Sequence, residues 1–409
     1  MDERYDSPEA AMEKLVRGEI RLHALEEILP VADAVRIRRM YIEDRTGGSL
    51  GALSSCALDL ERATKRNIEN MIGCVHLPVG VAGPLLIDGE YTTGSRFLPL
   101  ATTEGALVAS VNRGCSAITR AGGATVRIIA DGMTRAPVFA CRDVGHLREC
   151  VQWIEDHQEA IREAAEATTS HGKLLEARPF VAGTSLFLRL RFDTGDAMGM
   201  NMVTIASEAA ATLVEQECGA RLVSLSGNLC TDKKPAAINA ILGRGKTVVA
   251  GVRLDDGLIS QVFKTDADTL CEVNYRKNLL GSVRAGSLGF NAQAANIIAA
   301  LYIACGQDPA HVVEGSSCIT TVEREEGGVY VTVTAPVIQV GTVGGGTGLG
   351  PQAACLGLLG VAGGGTPPGT NAKAFAEIVA TAILAGELSL LGALAAQHLA
   401  RAHRQHGRG

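Results

Sequence analysis

The most apolar stretch of the chain, residues 378–400, constrains the fold most strongly, because it must be buried in a core or in a membrane. Glu387, Gln397 and His398 interrupt the stretch. Ionisable groups are costly inside a bilayer, so we expect a helix buried in a globular core rather than a membrane span. Residues 1–20 are charged and lack the apolar run typical of a signal peptide. The expected location is therefore cytoplasmic.

The composition indicates a core of small aliphatic side chains. Only 4% of the 409 residues are aromatic and 48 are glycine, so Ala, Val, Leu and Ile must fill the interior with close backbone packing. The net charge of −6, without a basic stripe, argues against nucleic-acid binding. The 11 cysteines show no Cys-x-x-Cys spacing, and we expect reduced thiols rather than a disulfide framework.

The pattern of apolar residues predicts an α+β fold with an inserted domain. Residues 1–50 read as an N-terminal helical segment, and residues 124–226 read as two strand–helix units with a hairpin. This arrangement predicts a small ferredoxin-like α/β domain. The two flanking segments, 51–123 and 227–409, are predicted to form one large, mainly helical domain built from both chain ends.

Individual elements follow from apolar periodicity and from start and turn signals. Helices are predicted over residues 7–30, 31–50, 57–68, 144–168, 199–218, 235–242, 291–305 and 371–406. Strands are predicted over residues 75–78, 81–87, 125–129, 137–141, 186–192, 221–225 and 329–340. The dipeptide Asp131-Gly132 is predicted as a turn between two of these strands.

Three adjacent charges, Asp232, Lys233 and Lys234, stand among small and apolar residues. Such charges are costly to desolvate unless they are paired, and one cation remains after the carboxylate is matched. The spare lysine suits the binding of a carboxylate or the polarisation of a carbonyl oxygen. A solvated turn before a helix that starts near Pro235 accounts for the same residues equally well.

The glycine-rich segments do not match nucleotide-binding motifs. Residues 341–350 fit G-x-G-x-x-G at no register. The Gly-Arg-Gly-Lys-Thr segment at 243–247 lacks the first glycine of a P-loop, because Ala240 occupies that position. A Rossmann fold and a P-loop kinase are therefore not expected. The 341–350 loop is either a close backbone approach to a ligand or a tight packing turn.

Three further titratable residues stand out, and two of them allow both a functional and a structural interpretation. Glu104, at the head of an apolar helix, either favours the helix dipole or is a proton donor with a pKa raised by burial. Asp308 precedes a proline and favours a helix-ending turn. His403 lies in a tail that is either frayed or a mobile general acid. The spacing of the tail histidines does not match a zinc motif, and no metal is expected.

Together these segments resemble the 3-hydroxy-3-methylglutaryl-coenzyme A reductase family from about residue 60 to residue 406. The matching motifs lie in the family's order, at residues 69–73, 101–105, 131–135, 195–201, 231–235, 277–282, 306–309 and 341–347. The tail histidines and the Thr-Thr-Ser-His-Gly-Lys segment at 168–173 are similar to the class I branch, and to its archaeal members in particular.

The resemblance implies the two-step reduction of (S)-3-hydroxy-3-methylglutaryl-CoA to (R)-mevalonate and CoA, with two NADPH molecules consumed, in the mevalonate route to isoprenoids. By resemblance, Lys233 polarises the thioester carbonyl and His403 protonates the departing thiolate. Glu104 donates a proton to the mevaldehyde oxygen, and Asp308 links Lys233 and Glu104 in one network.

The resemblance also implies the binding residues. Those around the substrate are Arg135, Ser226, Asp232, Lys234, Lys277 and Asn296. Those at the nicotinamide cofactor, in the small domain, are Asp196, Met198, Gly199, Met200, Gly344, Gly345 and Gly346. The candidate contacts to its 2′-phosphate are Ser170, His171 and Lys173.

The family's active site forms between two subunits, which implies a homodimer or a dimer of dimers with residues 69–73 at the contact. Two alternatives remain open. One is a thioester hydrolase or acyltransferase with Cys230 as nucleophile, because a thiolate would be stabilised beside Asp232 and Lys233. The other is the same reductase running with NADH.

Overall fold

The computed structural model describes residues 6–47 and 49–406, with side chains described as far as residue 397. Its helices are α1 (Pro8–Arg17), α2 (Val31–Thr46), α3 (Leu60–Arg66), α4 (Leu107–Arg120), α5 (Val144–Asp156), α6 (Gln158–Glu166), α7 (Met200–Cys218), α8 (Ala237–Leu242), α9 (Asp256–Phe263), α10 (Ala267–Val273), α11 (Ser282–Ala285), α12 (Ala294–Ala304), α13 (Val312–Gly315), α14 (Gly350–Leu359) and α15 (Thr370–His406). Its strands are β1 (Val79–Asp88), β2 (Thr93–Ala101), β3 (Ala124–Arg135), β4 (Val138–Ala140), β5 (Lys173–Ala182), β6 (Ser185–Asp193), β7 (Arg221–Ser224), β8 (Gly245–Asp255), β9 (Ile319–Glu325) and β10 (Gly328–Ile338).

The strands form one hydrogen-bonded network in the order β7-β4-β6-β3-β8-β10-β9, with β5 beside β6 and the β1–β2 hairpin beside β3. Strand β3 joins the two halves of this network. Its residues 125–132 pair with β8, and residues 133–135 pair with β6. The turn predicted at Asp131-Gly132 is therefore wrong, because the strand continues through it. A register shift between Ile128 and Ala130 bends the strand instead.

One half of the structure consists of the elements β4, α5, α6, β5, β6, α7 and β7 in chain order. Its strands lie in the order β7-β4-β6-β5, and each neighbouring pair is antiparallel. The sheet and helices enclose a core of their own, which includes Phe139, Ile154, Leu190 and Val214. Strand β5 was not expected from the sequence. The helix predicted over residues 144–168 is two helices in the structure, α5 and α6.

The other half is built from both chain ends around α15. Strands β1, β2, β8, β9 and β10 and most of β3 pack with α4, α12 and α15 on a larger core, which includes Val111, Leu301, Val331 and Ile383. This part holds more sheet than the mainly helical domain expected. Strands β8 and β9 were not predicted. Strand β8 is buried along most of its 11 residues, and a mostly buried apolar run is not separated from a buried helix by periodicity alone. The fold as a whole is a mixture of helix and sheet.

Helix α15 contains the apolar stretch of the sequence. Among the described residues it is the one helix that could cross a membrane by length and composition, over Thr370–Gln397. However, 83% of its most apolar window is buried inside the fold. Its carboxylates Glu377 and Glu387 accept backbone hydrogen bonds from residues 90–92 and 292–293, respectively. The buried helix predicted for this stretch is confirmed.

The N-terminal segment differs from the predicted single helix because a glycine, Gly18, ends the first helix early. Ser7 caps α1 by accepting a hydrogen bond from Ala10 N. Gly18 then adopts a left-handed conformation (φ 74°) and ends the helix, so one helix over residues 7–30 is wrong. A 3-10 helix, Leu22–Glu27, and α2 complete the segment.

One pair of cysteines contradicts the expectation of reduced thiols. Cys56 and Cys74 form a disulfide, with their Cα atoms 5.3 Å apart. The loop between them brings the two sulfurs together, and nothing in the sequence spacing indicates this. The remaining nine cysteines are free. Several are deeply buried, and burial raises the pKa of the Cys115 thiol to about 12.

Candidate active site

The three adjacent charges lie on the loop that joins β7 to α8. Asn228, Thr231 and Lys233 in this loop adopt left-handed backbone conformations, with φ of 61°, 48° and 58°. Residues other than glycine avoid this region, and they remain there only where surrounding contacts enforce it. The neighbouring side chains must therefore hold this loop in place.

The Lys233 side chain forms an ion pair with Asp308, with 2.7 Å between Nζ and Oδ2. Asp308 also accepts a hydrogen bond from Ala310 N and caps the 3-10 turn Pro309–His311. The hydrogen bond to Asp308 raises the pKa of Lys233. Burial opposes ionisation of Asp308, but hydrogen bonds from Lys233 and Ala310 outweigh it and lower its pKa. Both groups are therefore charged at neutral pH.

Asp232 is surrounded by cationic and hydrogen-bonding groups. Its Oδ1 lies 3.0 Å from Arg244 Nη2 and 3.2 Å from His311 Nε2. Its Oδ2 lies 3.9 Å from Arg135 Nη1. Burial raises the pKa of Asp232, but the hydrogen bond from His311 and the charge of Arg244 outweigh it and lower that pKa. Asp232 is therefore an anion that holds Arg135, a predicted substrate residue, next to the Lys233 loop.

Arg244 and Glu314 are two charged residues of this site that were not predicted from the sequence. Both are buried, with exposures of 0% and 1%, and Arg244 Nη1 lies 3.0 Å from each carboxylate oxygen of Glu314. Glu314 also accepts a hydrogen bond from the backbone N–H of Lys233. Each charge stands among glycine or apolar residues in the sequence, and that context was the signal for a buried pair.

Glu104 and Asn296 form a second group. Glu104 lies in the loop before α4, and Asn296 Nδ2 on α12 donates to its carboxylate across 3.4 Å. Glu104 is exposed, so the buried environment considered for it is wrong for the single chain. Within the described residues, no hydrogen bond or ion pair joins Glu104 to Lys233 or Asp308. A hollow of about 450 Å³ lies between Asn296 and Pro235, at the end of the Lys233 loop.

Of the remaining predicted substrate residues, Ser226 and Lys234 lie on or beside the Lys233 loop, and Lys277 lies elsewhere on a helix. Ser226 Oγ lies 3.5 Å from Cys230 Sγ, and Lys234 Nζ donates to the carbonyl oxygen of Asp232 at 3.1 Å. Lys277 is exposed on a π-helix, Asn274–Gly281. Helical segments of this type are rare and often occur at functional sites.

A cleft of about 600 Å³ opens beside Asp308. The predicted cofactor residues that line it are Met198, Gly199, Met200, Gly344, Gly345 and Gly346. The glycine loop has left-handed φ values of 79° at Gly344 and 52° at Gly345, which side chains rarely adopt. The cleft volume is typical of a small-molecule site. The structure thus brings these cofactor residues and Asp308 to one cavity.

Asp196 has a different position from its predicted neighbours. It is 8% exposed, and its carboxylate accepts hydrogen bonds from the backbone N–H groups of Gly365, Gly369 and Ala372 at 2.8, 2.8 and 3.0 Å. Burial opposes its ionisation, but these hydrogen bonds lower its pKa. In this structure Asp196 anchors the segment that leads into α15, and its contact with the cofactor stays a prediction.

The candidate 2′-phosphate residues lie outside the lining of the cleft, with Ser170 and His171 on the turn between α6 and β5 and Lys173 at the start of β5. Ser170 and His171 are exposed, and Lys173 Nζ lies 2.7 Å from Glu166 Oε2. The backbone of His403 belongs to α15, but its side chain lies outside the described residues. The roles of these residues stay predictions.

Two clusters place possible metal-ligand atoms within 4.8 Å of one another, namely Cys141, His146 and Cys150, and Asp232, His311 and Glu314. In the first cluster, His146 Nδ1 accepts a hydrogen bond from Arg142 N at 3.1 Å, and Nε2 donates to the Cys218 carbonyl at 2.7 Å. In the second cluster, Arg244 already supplies the positive charge. Both donor sets have protein partners, and the absence of a metal requirement stays a prediction.

An ammonium group with one fixed carboxylate, beside a glycine-lined cleft, defines an enzyme site suited to polarising a carbonyl oxygen. The family described as hydroxymethylglutaryl-coenzyme A reductase matches residues 34–408. The chain belongs to this family.

Individual relatives agree with the family match. The chain is 54% identical over 399 residues to 3-hydroxy-3-methylglutaryl-coenzyme A reductase of Methanothermobacter thermautotrophicus, covering 97% of this chain and 99% of the relative. It is 52% identical over 396 residues to that of Haloferax volcanii, covering 97% and 98%. The class II enzyme of Streptococcus pneumoniae, solved bound to NADPH, has the same fold with a TM-score of 0.67 at 19% identity, over 95% of this chain and 97% of that chain.

Proposed function

We propose that the chain catalyses the NADPH-dependent, four-electron reduction of (S)-3-hydroxy-3-methylglutaryl-CoA to (R)-mevalonate and CoA, in the mevalonate pathway. Relatives that match almost its whole length carry the name of this enzyme. The observation that carries the proposal is the Lys233–Asp308 ion pair, 2.7 Å long, beside a cleft of about 600 Å³. Free CoA and mevalonate are the products, and the same fold is compatible with use of NADH.

Lys233 is the group that stabilises the substrate oxygen. Its side chain is 44% exposed, so the ammonium group is accessible to a thioester carbonyl while Asp308 fixes its position. A positioned cation is most effective where negative charge develops on the reacting oxygen. NADPH supplies the hydride when it is bound. The negative charge of Asp308 keeps Lys233 protonated through both reduction steps.

Proton donors are required at two points. The departing CoA thiolate takes a proton from His403, and the mevaldehyde oxygen takes one from Glu104. The hydrogen bond from Asn296 orients the Glu104 carboxyl group. Arg135 and Lys234 bind the free carboxylate of the substrate, with Ser226, Asp232, Lys277 and Asn296 around it.

The nicotinamide cofactor binds the inserted domain, for which residues 124–226 were predicted, although most of β3 packs on the core of the large domain. The chain order β4-α5-α6-β5-β6-α7-β7 with strand order β7-β4-β6-β5 supports a ferredoxin-like domain. The first turn of α7 lines the cleft, and the unpaired N–H groups at a helix start favour phosphate. Residues 1–50 then form the N-terminal helical segment, and residues 51–123 and 227–409 form the large substrate-binding domain.

The active enzyme is a homodimer, or a pair of dimers, with the site at the subunit contact. Glu104 and Asn296 form one group and Lys233 and Asp308 another, and a site shared between subunits would unite them. The apolar side chains that flank residues 69–73 support a contact there, since Val75 is 79% exposed and Ile68 is 44% exposed.

We assign the chain to class I, among its archaeal members, and to the cytoplasm. Identity above 50% to the archaeal reductases, compared with 19% to a class II enzyme, supports the class. The burial of α15 inside the fold supports the location.

The decisive experiment combines two readouts on the purified protein. NADPH oxidation and free thiol release are measured together with 3-hydroxy-3-methylglutaryl-CoA, for the wild type and for Lys233→Ala. We expect two NADPH oxidised for each thiol released, and loss of both signals in the variant. Thiol release without NADPH oxidation would instead identify a hydrolase.

The hydrolase alternative receives little support from the site. Cys230 is 0% exposed, and its Sγ atom lies 3.5 Å from Ser226 Oγ. A nucleophilic thiol needs access to the substrate and a base within hydrogen-bond reach. Among the described residues, no hydrogen bond links Cys230 to a histidine.

A further inference from the structure

A buried ion pair lies directly behind the Lys233 loop. Glu314 on α13 and Arg244, the residue before β8, are 1% and 0% exposed. Arg244 Nη1 lies 3.0 Å from both oxygens of the Glu314 carboxylate. A buried pair of this kind is costly to desolvate, and it persists only when further hydrogen bonds satisfy both groups.

The other groups that form hydrogen bonds with the Glu314 carboxylate are donors as well. Oε2 accepts from Asn239 Nδ2 at 2.9 Å and from Gln339 Nε2 at 2.7 Å. Oε1 accepts from the backbone N–H of Lys233. An ionised carboxylate accepts at both oxygens and donates at neither, so this ring of donors matches the charged form of Glu314. An amide in its place would direct an NH₂ group at one set of these donors.

The buried network contacts two of the three charged residues of the Lys233 loop, each at a separate point. Glu314 contacts Lys233 directly through the backbone N–H, at the residue whose φ is 58°. Arg244, held by Glu314, contacts Asp232 with its other amino group at 3.0 Å. His311 contacts the same Asp232 oxygen at 3.2 Å. The conformation of the Lys233 loop is therefore determined by buried groups that do not line the cleft.

We propose that Glu314 is a positioning residue of the reductase: it accepts the Lys233 backbone N–H, holds that peptide in its left-handed conformation, and thereby directs the Lys233 ammonium group toward Asp308 and the substrate oxygen. Glu314 touches neither substrate nor cofactor. The kinetic part of this inference rests on the reductase function proposed above. The structural part, which is the restraint of the Lys233 loop, does not depend on that function.

The kinetic test is Glu314→Gln, compared with Glu377→Gln as a matched control. Glu377 is an equally buried glutamate that accepts three backbone hydrogen bonds, in a different part of the fold. We expect Glu314→Gln to lower kcat on the order of 100-fold, since a displacement of about 1 Å has that effect, with KM for 3-hydroxy-3-methylglutaryl-CoA changed less than about threefold. Glu377→Gln should retain the wild-type kcat per folded molecule.

The structural test is amide hydrogen exchange of the peptide that covers residues 226–234. Exchange there should accelerate in Glu314→Gln and stay at the wild-type rate in Glu377→Gln. Should Glu314→Gln fail to fold, Glu314→Asp keeps the charge opposite Arg244 but withdraws the carboxylate from the Lys233 N–H, and the same two changes are expected. A wild-type kcat, an equal change in kcat and KM, or unchanged exchange in the folded variant would each overturn the proposal. If the wild-type protein shows no reductase activity, the function fails, and the exchange measurement still decides the positioning role.

Discussion

The Nζ atom of Lys233 lies 2.7 Å from Oδ2 of Asp308, and this ion pair joins a strained loop to a 3-10 turn whose residues Asp308 and Pro309 line the cleft. Each partner favours the charged form of the other, since the pKa of Lys233 is raised and that of Asp308 is lowered. The lysine therefore carries a positive charge whose position is fixed by Asp308.

Asp308→Asn should remove the charge that orients Lys233 while leaving the fold intact, because Asp308 is 29% exposed. We expect kcat to fall on the order of 100-fold, the size of effect seen when one oxyanion-stabilising group is lost. Steady-state NADPH oxidation measures kcat, and a thermal melt reports the fold. Asp256→Asn, which alters an exposed ion pair with Arg324, is the control. An unchanged kcat in Asp308→Asn would contradict the role of this pair.

Co-expression of Lys233→Ala with Glu104→Gln tests whether two subunits share one site. Each variant alone should be inactive. In a mixed dimer, one of the two sites would combine an intact Lys233 with an intact Glu104. Random pairing should then restore about a quarter of the wild-type activity. Activity that stays at the background level in a verified mixed dimer would place both residues in a site formed by a single chain.

Lys173→Glu probes the 2′-phosphate contact. The side chain is 67% exposed and pairs with Glu166, so the reversal of charge should leave the fold unchanged. We expect KM for NADPH to rise about tenfold, equivalent to about 1.4 kcal/mol, with KM for NADH unaffected. Lys65→Glu, also at an exposed ion pair, is the control. An equal change for both cofactors would exclude a contact to the phosphate.

Asp196→Asn should destabilise the segment before α15. The carboxylate accepts backbone hydrogen bonds from Gly365, Gly369 and Ala372, and an amide oxygen without charge cannot replace all of them. We expect the free energy of unfolding to fall by about 2 kcal/mol in denaturant titration. Asp193→Asn, which weakens the single backbone hydrogen bond that Asp193 accepts from Gly195 N, should have a smaller effect. Equal losses in the two variants would contradict the anchoring role.

Acid should destabilise the protein through three carboxylates. The pKa values of Asp196, Asp232 and Asp308 are lowered in the folded state. Their contribution to stability is therefore complete above about pH 4, the unfolded value, and is lost as pH falls through the folded values. Glu377 and Glu387 act in the opposite sense, because burial raises their pKa values. Unfolding free energies measured from pH 7 down to pH 3 should decrease, and Asp196→Asn should flatten that decrease.

Much of the site was recognisable from residue chemistry alone. The charges at Asp232 and Lys233 and the glycine loop at 341–350 stood out because their composition is unusual for their surroundings. Asp308 was identified only through the family resemblance, since an Asp-Pro dipeptide by itself indicates a turn. Glu314 went unrecognised because its role depends on a lysine backbone that lies far away in the sequence.

The family, the buried apolar helix and an inserted α/β unit were predictable from the amino-acid sequence. These properties follow from local periodicity and from the order of short motifs, and both can be read from the linear sequence. Three other features depend on contacts between distant parts of the chain: β3 runs through Asp131 and joins both halves of the sheet, Asp196 anchors backbone amides, and Cys56 meets Cys74. Backbone groups and charges that lose water on folding must be paired, and three-dimensional proximity rather than distance along the chain selects the partner of each group, as it does for a cysteine.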